Sequence, residues 1–452
     1  MKKTSNTKTR LPAAFHRIWT ASAVSSLGDG VSTAALPLLA YSLTKSTVML
    51  GVVTAAGVLP WLLFGLIGGA LVDRWDRRTT MWITDLGRAG VLATALAGAA
   101  AGFLGIPLLI GLAFLLGTGQ VLFDTAAMAY LPELLEQDQD QLMTANSRLQ
   151  GAQRVTGSFI GPPVGSAIFA VGRMIPVALD AVSFVFSSLM TRTLPKQPRR
   201  APAADLPRAS LWADAKAGAS FLVRNKLLLG LSLRPAIGNL GFGIISAVEV
   251  VFARQILHLG ASGYGFFLAA DAVGGLAGAA LGPWAGRTLG TGTALTATTL
   301  VEALGLVGTG LSSNAFAACA FFAVTGAGMG ATMVLGPSIR QAIVPNEMAG
   351  RVGAAGRLVS LCTFPTGAVL GGWIAEPAGL RAPFVIAACI LAATSLLVGT
   401  MTNNRKIEAA LAEAARLRAE KSAVADAEAV GEVVRQSPAH AEADGTAAVA
   451  TV

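Results

Sequence analysis

The sequence predicts an all-α membrane protein, with twelve transmembrane helices arranged as two six-helix bundles. Three observations carry that prediction. Only 13% of the 452 residues are charged, against roughly 25% in ordinary soluble domains, while 53% are hydrophobic. Twelve runs hold the ~20 mainly apolar residues that a helix needs to cross a bilayer. The basic residues fall overwhelmingly on one side of those runs, a bias that sets both termini on that side and so requires an even number of spans.

The runs are 17–41, 48–72, 80–103, 106–131, 145–171 and 174–193, then 227–256, 262–285, 292–311, 314–339, 353–375 and 382–402, separated by polar or Gly/Pro punctuation. The first follows the basic stretch MKKTSNTKTR, is interrupted by Asp29 and lacks a small-residue cleavage site, so it reads as a retained helix. One long break divides the runs six and six. Residues 1–193 are thus expected as an N-terminal bundle, 194–226 as a cytoplasmic linker, 227–402 as a C-terminal bundle and 403–452 as a cytoplasmic tail. In the linker Leu211, Ala215, Gly218, Phe221 and Leu222 recur at helical spacing between basic residues, the pattern of an interfacial amphipathic helix. The tail is rich in Ala, Glu and Arg, with too little bulky apolar surface for a domain, so it is expected to be disordered or helical in places. The 52 glycines suit close helix packing in a membrane.

With the N-terminus cytoplasmic, 28 of the 34 Lys and Arg residues lie on the cytoplasmic side. Lys45, Arg173, Arg254 and Arg381 fall outside, and Arg88 and Arg234 lie within spans. The formal charge of +9 therefore reports membrane orientation and implies no nucleic-acid partner. Cys319, Cys362 and Cys389 stand singly in apolar runs, without the spacing of a disulfide framework or metal site. A phosphate loop, serine elbow or dinucleotide fingerprint in a strand context is lacking, so neither an enzyme nor a cofactor is expected.

Two local motifs bear on mechanism. At the end of the second run stands Gly69-Ala-Leu-Val-Asp73-Arg74-Trp-Asp76-Arg77-Arg78. It resembles the loop motif of the major facilitator superfamily, with Asp76 where that motif has glycine. The resemblance implies a conformational-switch loop in which Gly69 permits close helix approach and Asp73, Arg74, Arg77 and Arg78 make charge pairs favouring one access state. The fifth run carries Gly157-Ser-Phe-Ile-Gly161-Pro162-Pro163-Val-Gly165, whose glycines share one helix face. It resembles the glycine/proline motif of the exporter branch, associated with antiport. Two readings stand for it, generic helix packing and a role in setting direction.

Pro365-Thr-Gly367-Ala-Val-Leu-Gly371-Gly372 echoes this motif in the second half, as parallel six-helix repeats would. Residues 12–402 as a whole resemble macrolide-efflux and enterobactin-exporter transporters, through phrases such as Leu27-Gly28-Asp29, Phe123-Asp124-Thr125 and Leu179-Asp180-Ala181. That resemblance implies the major facilitator fold, a monomer in a cell membrane, a small-molecule substrate and protons as the coupling ion. The fourth-span arginine of many drug/proton antiporters has no counterpart, and Asp124 is the charge in that run.

Charges inside spans are costly and mark function or pairing. Asp85 and Arg88 are spaced i,i+3 and are expected to pair; Asp124 is expected near the arginines of the 74–78 loop. Asp29 has no basic neighbour in sequence and is the first candidate for proton or substrate work, with pairing to Arg234 as the alternative. Glu249 is the second. Since first and seventh helices line the cavity in this fold, the resemblance implies that Asp29 and Glu249 face one midplane site. The function expected is export of an amphipathic drug, siderophore or secondary metabolite by proton antiport, with import or facilitated transport as the alternative and a membrane scaffold or sensor as the third.

Overall fold

The computed structural model describes residues 11–65, 75–135, 138–196, 220, 222–344 and 346–436. Gly69, Asp73 and Arg74 of the loop motif, and all but Leu222 of the apolar positions in the predicted linker helix, lie outside the described residues. The described elements are helical. In chain order they are α1 (Ala13–Leu43), α2 (Thr47–Phe64), α3 (Arg77–Ala100), α4 (Ile106–Leu134), α5 (Gln139–Gln153), a π-helical stretch (Arg154–Ile160), α6 (Gly161–Val171) and α7 (Ile175–Arg192). The second half comprises α8 (Lys226–Ser246), α9 (Glu249–Gln255), α10 (Ala261–Leu289), α11 (Thr291–Leu311), α12 (Ala315–Ile343), α13 (Asn346–Ala378) and α14 (Ala382–Met401), followed by α15 (Asn404–Gln436).

Among the described residues nine helices are long and apolar enough to cross a membrane. Helices also occupy the other three predicted runs: charged α3, α5 to α6 with its π interruption, and α13. Bulky apolar side chains such as Phe316, Leu397 and Trp373 point outward, as they do where the solvent is lipid. Each half closes on itself: α1 packs against α6 and α7, and α3 against α4 and α7; α8 packs against α13 and α14, and α11 against α12 and α14.

Small residues set these distances. A Cβ on Gly161 would stand 2.5 Å from Gly30 Cα, and one on Gly165 2.7 Å from Val31 Cα, so the motif glycines seat α6 directly on the backbone of α1. The second half repeats the contact. A Cβ on Gly371 would stand 2.7 Å from Ile244 Cα, seating α13 on α8. Pro162 and Pro163 lack the N–H donors of a regular turn and their rings crowd the preceding one, and the π-helical stretch lies immediately before them.

Two breaks differ from the continuous spans predicted. The fifth carries the π stretch; the seventh, expected unbroken over 227–256, parts between Ser246 and Glu249. Neither glycine nor proline occupies 247 or 248, so local sequence gives no sign of that break. The tail opens as a helix whose base is docked. Asn404 accepts hydrogen bonds from the N–H groups of Gly292 and Thr293 at the start of α11, and Arg418 donates to the Ala342 carbonyl at the end of α12.

The halves touch tightly at the end of the bundle opposite the termini. Ser46 bonds Glu376 at 3.1 Å, Thr47 donates to the Gly372 carbonyl at 2.8 Å, and Gln255 reaches the Tyr41 hydroxyl at 3.4 Å. Every hydrogen bond between the halves among the described residues lies at this end. Cavities lie between the halves at mid-bundle, and another lies toward the termini.

Candidate functional site

The first cavity, about 470 Å³, lies between α1, α2, α3, α4 and α7 of one half and Ser246, Ala247 and Val250 of the other. In its wall Arg88 Nη2 donates to Asp29 Oδ1 at 2.6 Å. Asp29 is 36% exposed in side chain, whereas Arg88 is 5% exposed. The acid is therefore the accessible partner. A second, looser contact joins Arg88 to Asp85 at 3.7 Å, with Asp85 fully buried, and the guanidinium lies over the Phe184 ring at 3.8 Å. Asp180, also buried, accepts from Ser32 and from Ser183, the latter at 3.3 Å. Gln120 donates to Asp124 at 2.8 Å.

Four carboxylates thus surround one guanidinium. Gly28 makes room for this cluster: a Cβ there would come within 2.9 Å of Ser183 Cβ. An unpaired charge in a membrane helix costs about 3 kcal/mol on insertion scales, so Arg88 offsets part of a large burden.

Three predicted partnerships are corrected. Asp29 pairs with Arg88 of α3, not with Arg234. Asp124 is bonded by Gln120 on its own helix, not by Arg77 or Arg78, the two loop arginines among the described residues. Arg77 instead pairs with Glu133 and donates to the Ala129 carbonyl at 3.0 Å, while Arg78 donates to the Arg192 carbonyl, so both anchor the base of α3 to its neighbours. Asp29 and Glu249 also do not share one site. They line adjoining cavities, both edged by Thr33.

Glu249 opens α9 just after the break, is 9% exposed, and accepts from the Tyr264 hydroxyl at 2.9 Å. Its cavity, about 390 Å³, also holds Asp271, Phe159 and Phe242. A third cavity, about 410 Å³, is lined by Arg234, Glu302, Asn239 and Arg340. The two terminal nitrogens of Arg234 are held by neutral groups: the Leu295 carbonyl at 3.1 Å and the hydroxyls of Thr296 and Thr402 at 3.0 Å each, with Thr299 and Ser395 slightly farther.

Sequence reasoning counted Arg154 only as one more residue on the basic side. It begins the π stretch, lines both the Glu249 and the Arg234 cavities, and makes no hydrogen bond or ion pair among the described residues. The proline pair downstream was the available signal. Among the described residues no cluster of His, Cys, Asp and Glu has metal-binding geometry.

Two bundles of membrane helices meeting around cavities with a few charged side chains in largely apolar walls are the architecture of a transporter of the major facilitator type. The chain belongs to the family described as transmembrane secretion effector, which it matches over residues 10–435. It is 26% identical over 372 residues to the multidrug efflux pump Tap of Mycolicibacterium fortuitum, covering 79% of this chain and 88% of that one. It is 24% identical over 430 residues to macrolide efflux protein A of Streptococcus pyogenes, covering 90% of this chain and 100% of the relative. The fold matches that of a bacterial homologue of the human lysosomal transporter Spinster in its inward-facing, unoccupied conformation, with a TM-score of 0.67 at 15% identity, over 86% of this chain and 97% of the other. These relatives are transporters rather than enzymes, and the chain is a multi-pass membrane transporter with efflux-pump homologues.

Proposed function

We propose that this transporter exports an amphipathic small molecule by alternating access, driven by protons moving the other way, as a monomer in the cytoplasmic membrane with both termini in the cytosol. The observation that carries the reading is the accessible carboxylate of Asp29 held by Arg88 in the wall of a cavity between the halves. A proton delivered to Asp29 would cancel its charge and release Arg88 toward Asp85, Asp124 or Asp180, redistributing charge along α1, α3, α4 and α7. The cavities mix acids with apolar and aromatic walls, which suits a cationic or neutral amphipathic compound. Relatives named as drug and macrolide efflux proteins support the direction. With the termini in the cytosol, the tight end is the outer gate and the cavities belong to an inward-open state.

The test is Asp29→Asn in an efflux-deficient host. Normal membrane expression with loss of proton-driven efflux is expected; unchanged transport removes Asp29 from coupling. In everted vesicles an imposed proton gradient should drive uptake of a compound found by resistance screening with and without an uncoupler. Uptake indifferent to the gradient would instead support facilitated transport.

A further inference from the structure

The basic residues predicted on the outer side are few, yet three of the four converge. Lys45, Arg173 and Arg254 line one pocket of about 220 Å³ at the closed end of the bundle. Tyr41 comes from the end of α1, Lys45 from the connection just after it, Phe169 from α6, and Arg173 from the turn before α7, all in the first half. Arg254 belongs to α9 and Ala261 to α10, in the second. The pocket therefore straddles the junction of the halves.

Intramolecular contacts account for only part of this charge. Lys45 Nζ lies 3.6 Å from the centre of the Tyr41 ring and Arg254 donates one nitrogen to the Leu259 carbonyl at 3.0 Å. Arg173 makes no hydrogen bond or ion pair among the described residues. The pocket lining contains no carboxylate. Glu376 accepts from Ser46, the sequence neighbour of Lys45, and among the described residues it forms no ion pair with any of the three cations. The Tyr41 hydroxyl receives Gln255 and keeps its own proton to donate. Three like charges held together repel one another unless an anion joins them. Two guanidinium forks, an ammonium and a phenol form a donor set for a tetrahedral oxyanion. Leu38 and Phe169 give the pocket an apolar flank.

We propose that this pocket binds a phosphate-type oxyanion, and that the bound anion ties the two halves together at their closed end. A phospholipid headgroup and soluble phosphate both present that chemistry.

The experiment uses the full chain in phosphatidylcholine nanodiscs and reads the thermal unfolding midpoint. One arm adds phosphatidylglycerol to the lipid; the other adds inorganic phosphate against chloride at equal ionic strength. A higher midpoint with either probe, lost in Arg173→Gln/Arg254→Gln and largely kept in Arg173→Lys/Arg254→Lys, is the expected result. A response to phosphatidylglycerol alone assigns the lipid headgroup, and a response to phosphate assigns the free anion. No shift with either probe, or an equal shift in the glutamine variant, overturns the proposal.

Discussion

Single residues decide how the charged ends of helices are held. Asp76 stands where the family's loop motif has glycine, and in the structure it serves as the N-cap of α3, its carboxylate accepting the Thr79 N–H at 2.7 Å. Burial works to raise its pKa, but the Thr79 bonds and the charges of Arg78 and Lys196 outweigh burial and hold it below the usual value of 3.8. A carboxyl depressed on folding stabilises the fold above its unfolded pKa, and that contribution fades as pH falls toward the folded one. Asp76→Ala is therefore expected to cost about 1 kcal/mol at neutral pH, with the gap from wild type narrowing below pH 3.8. Denaturation in detergent across that range checks both the size and the sign.

At the scale of elements, the close seats of α6 on α1 and α13 on α8 rest on glycine backbones. Gly165→Leu would drive a branched side chain into the Val31 backbone, which cannot retreat, so a loss of about 1–3 kcal/mol and of transport is expected, measurable as a lower melting point and failed efflux. Gly87→Ala, whose added Cβ would meet open space, should lower neither. The glycine motif was legible because its spacing is that of one helix face. Hydropathy likewise placed the helical runs, since bilayer thickness fixes their length. Pairing across helices was not legible. Asp29 and Arg88 are 59 positions apart, and only the packing of α1 against its neighbours brings them together. The break before Glu249 was hidden for a related reason, because it arises without glycine or proline at the break itself.

At the scale of the whole molecule, alternating access requires the seam opposite the termini to part. Ser46 and Glu376 bridge it at 3.1 Å. In a background lacking Cys319, Cys362 and Cys389, Ser46→Cys with Glu376→Cys is expected to be linked by a short thiol-reactive bridge and to lose most transport until the bridge is cut. Undiminished transport by the linked protein would show that this end stays shut during the cycle. The two halves also differ in a way their shared architecture conceals. α1 contributes the acid Asp29 at its polar centre, while the corresponding helix of the second half, α8, contributes Arg234, which is solvated by hydroxyls and a carbonyl. A guanidinium keeps its proton at any physiological pH, whereas a carboxylate has two states. At the polar centres of α1 and α8 the two halves thus carry one adjustable charge and one permanent charge. Under the proposed coupling, a proton taken up by Asp29 would load one pan of a balance whose other pan is fixed.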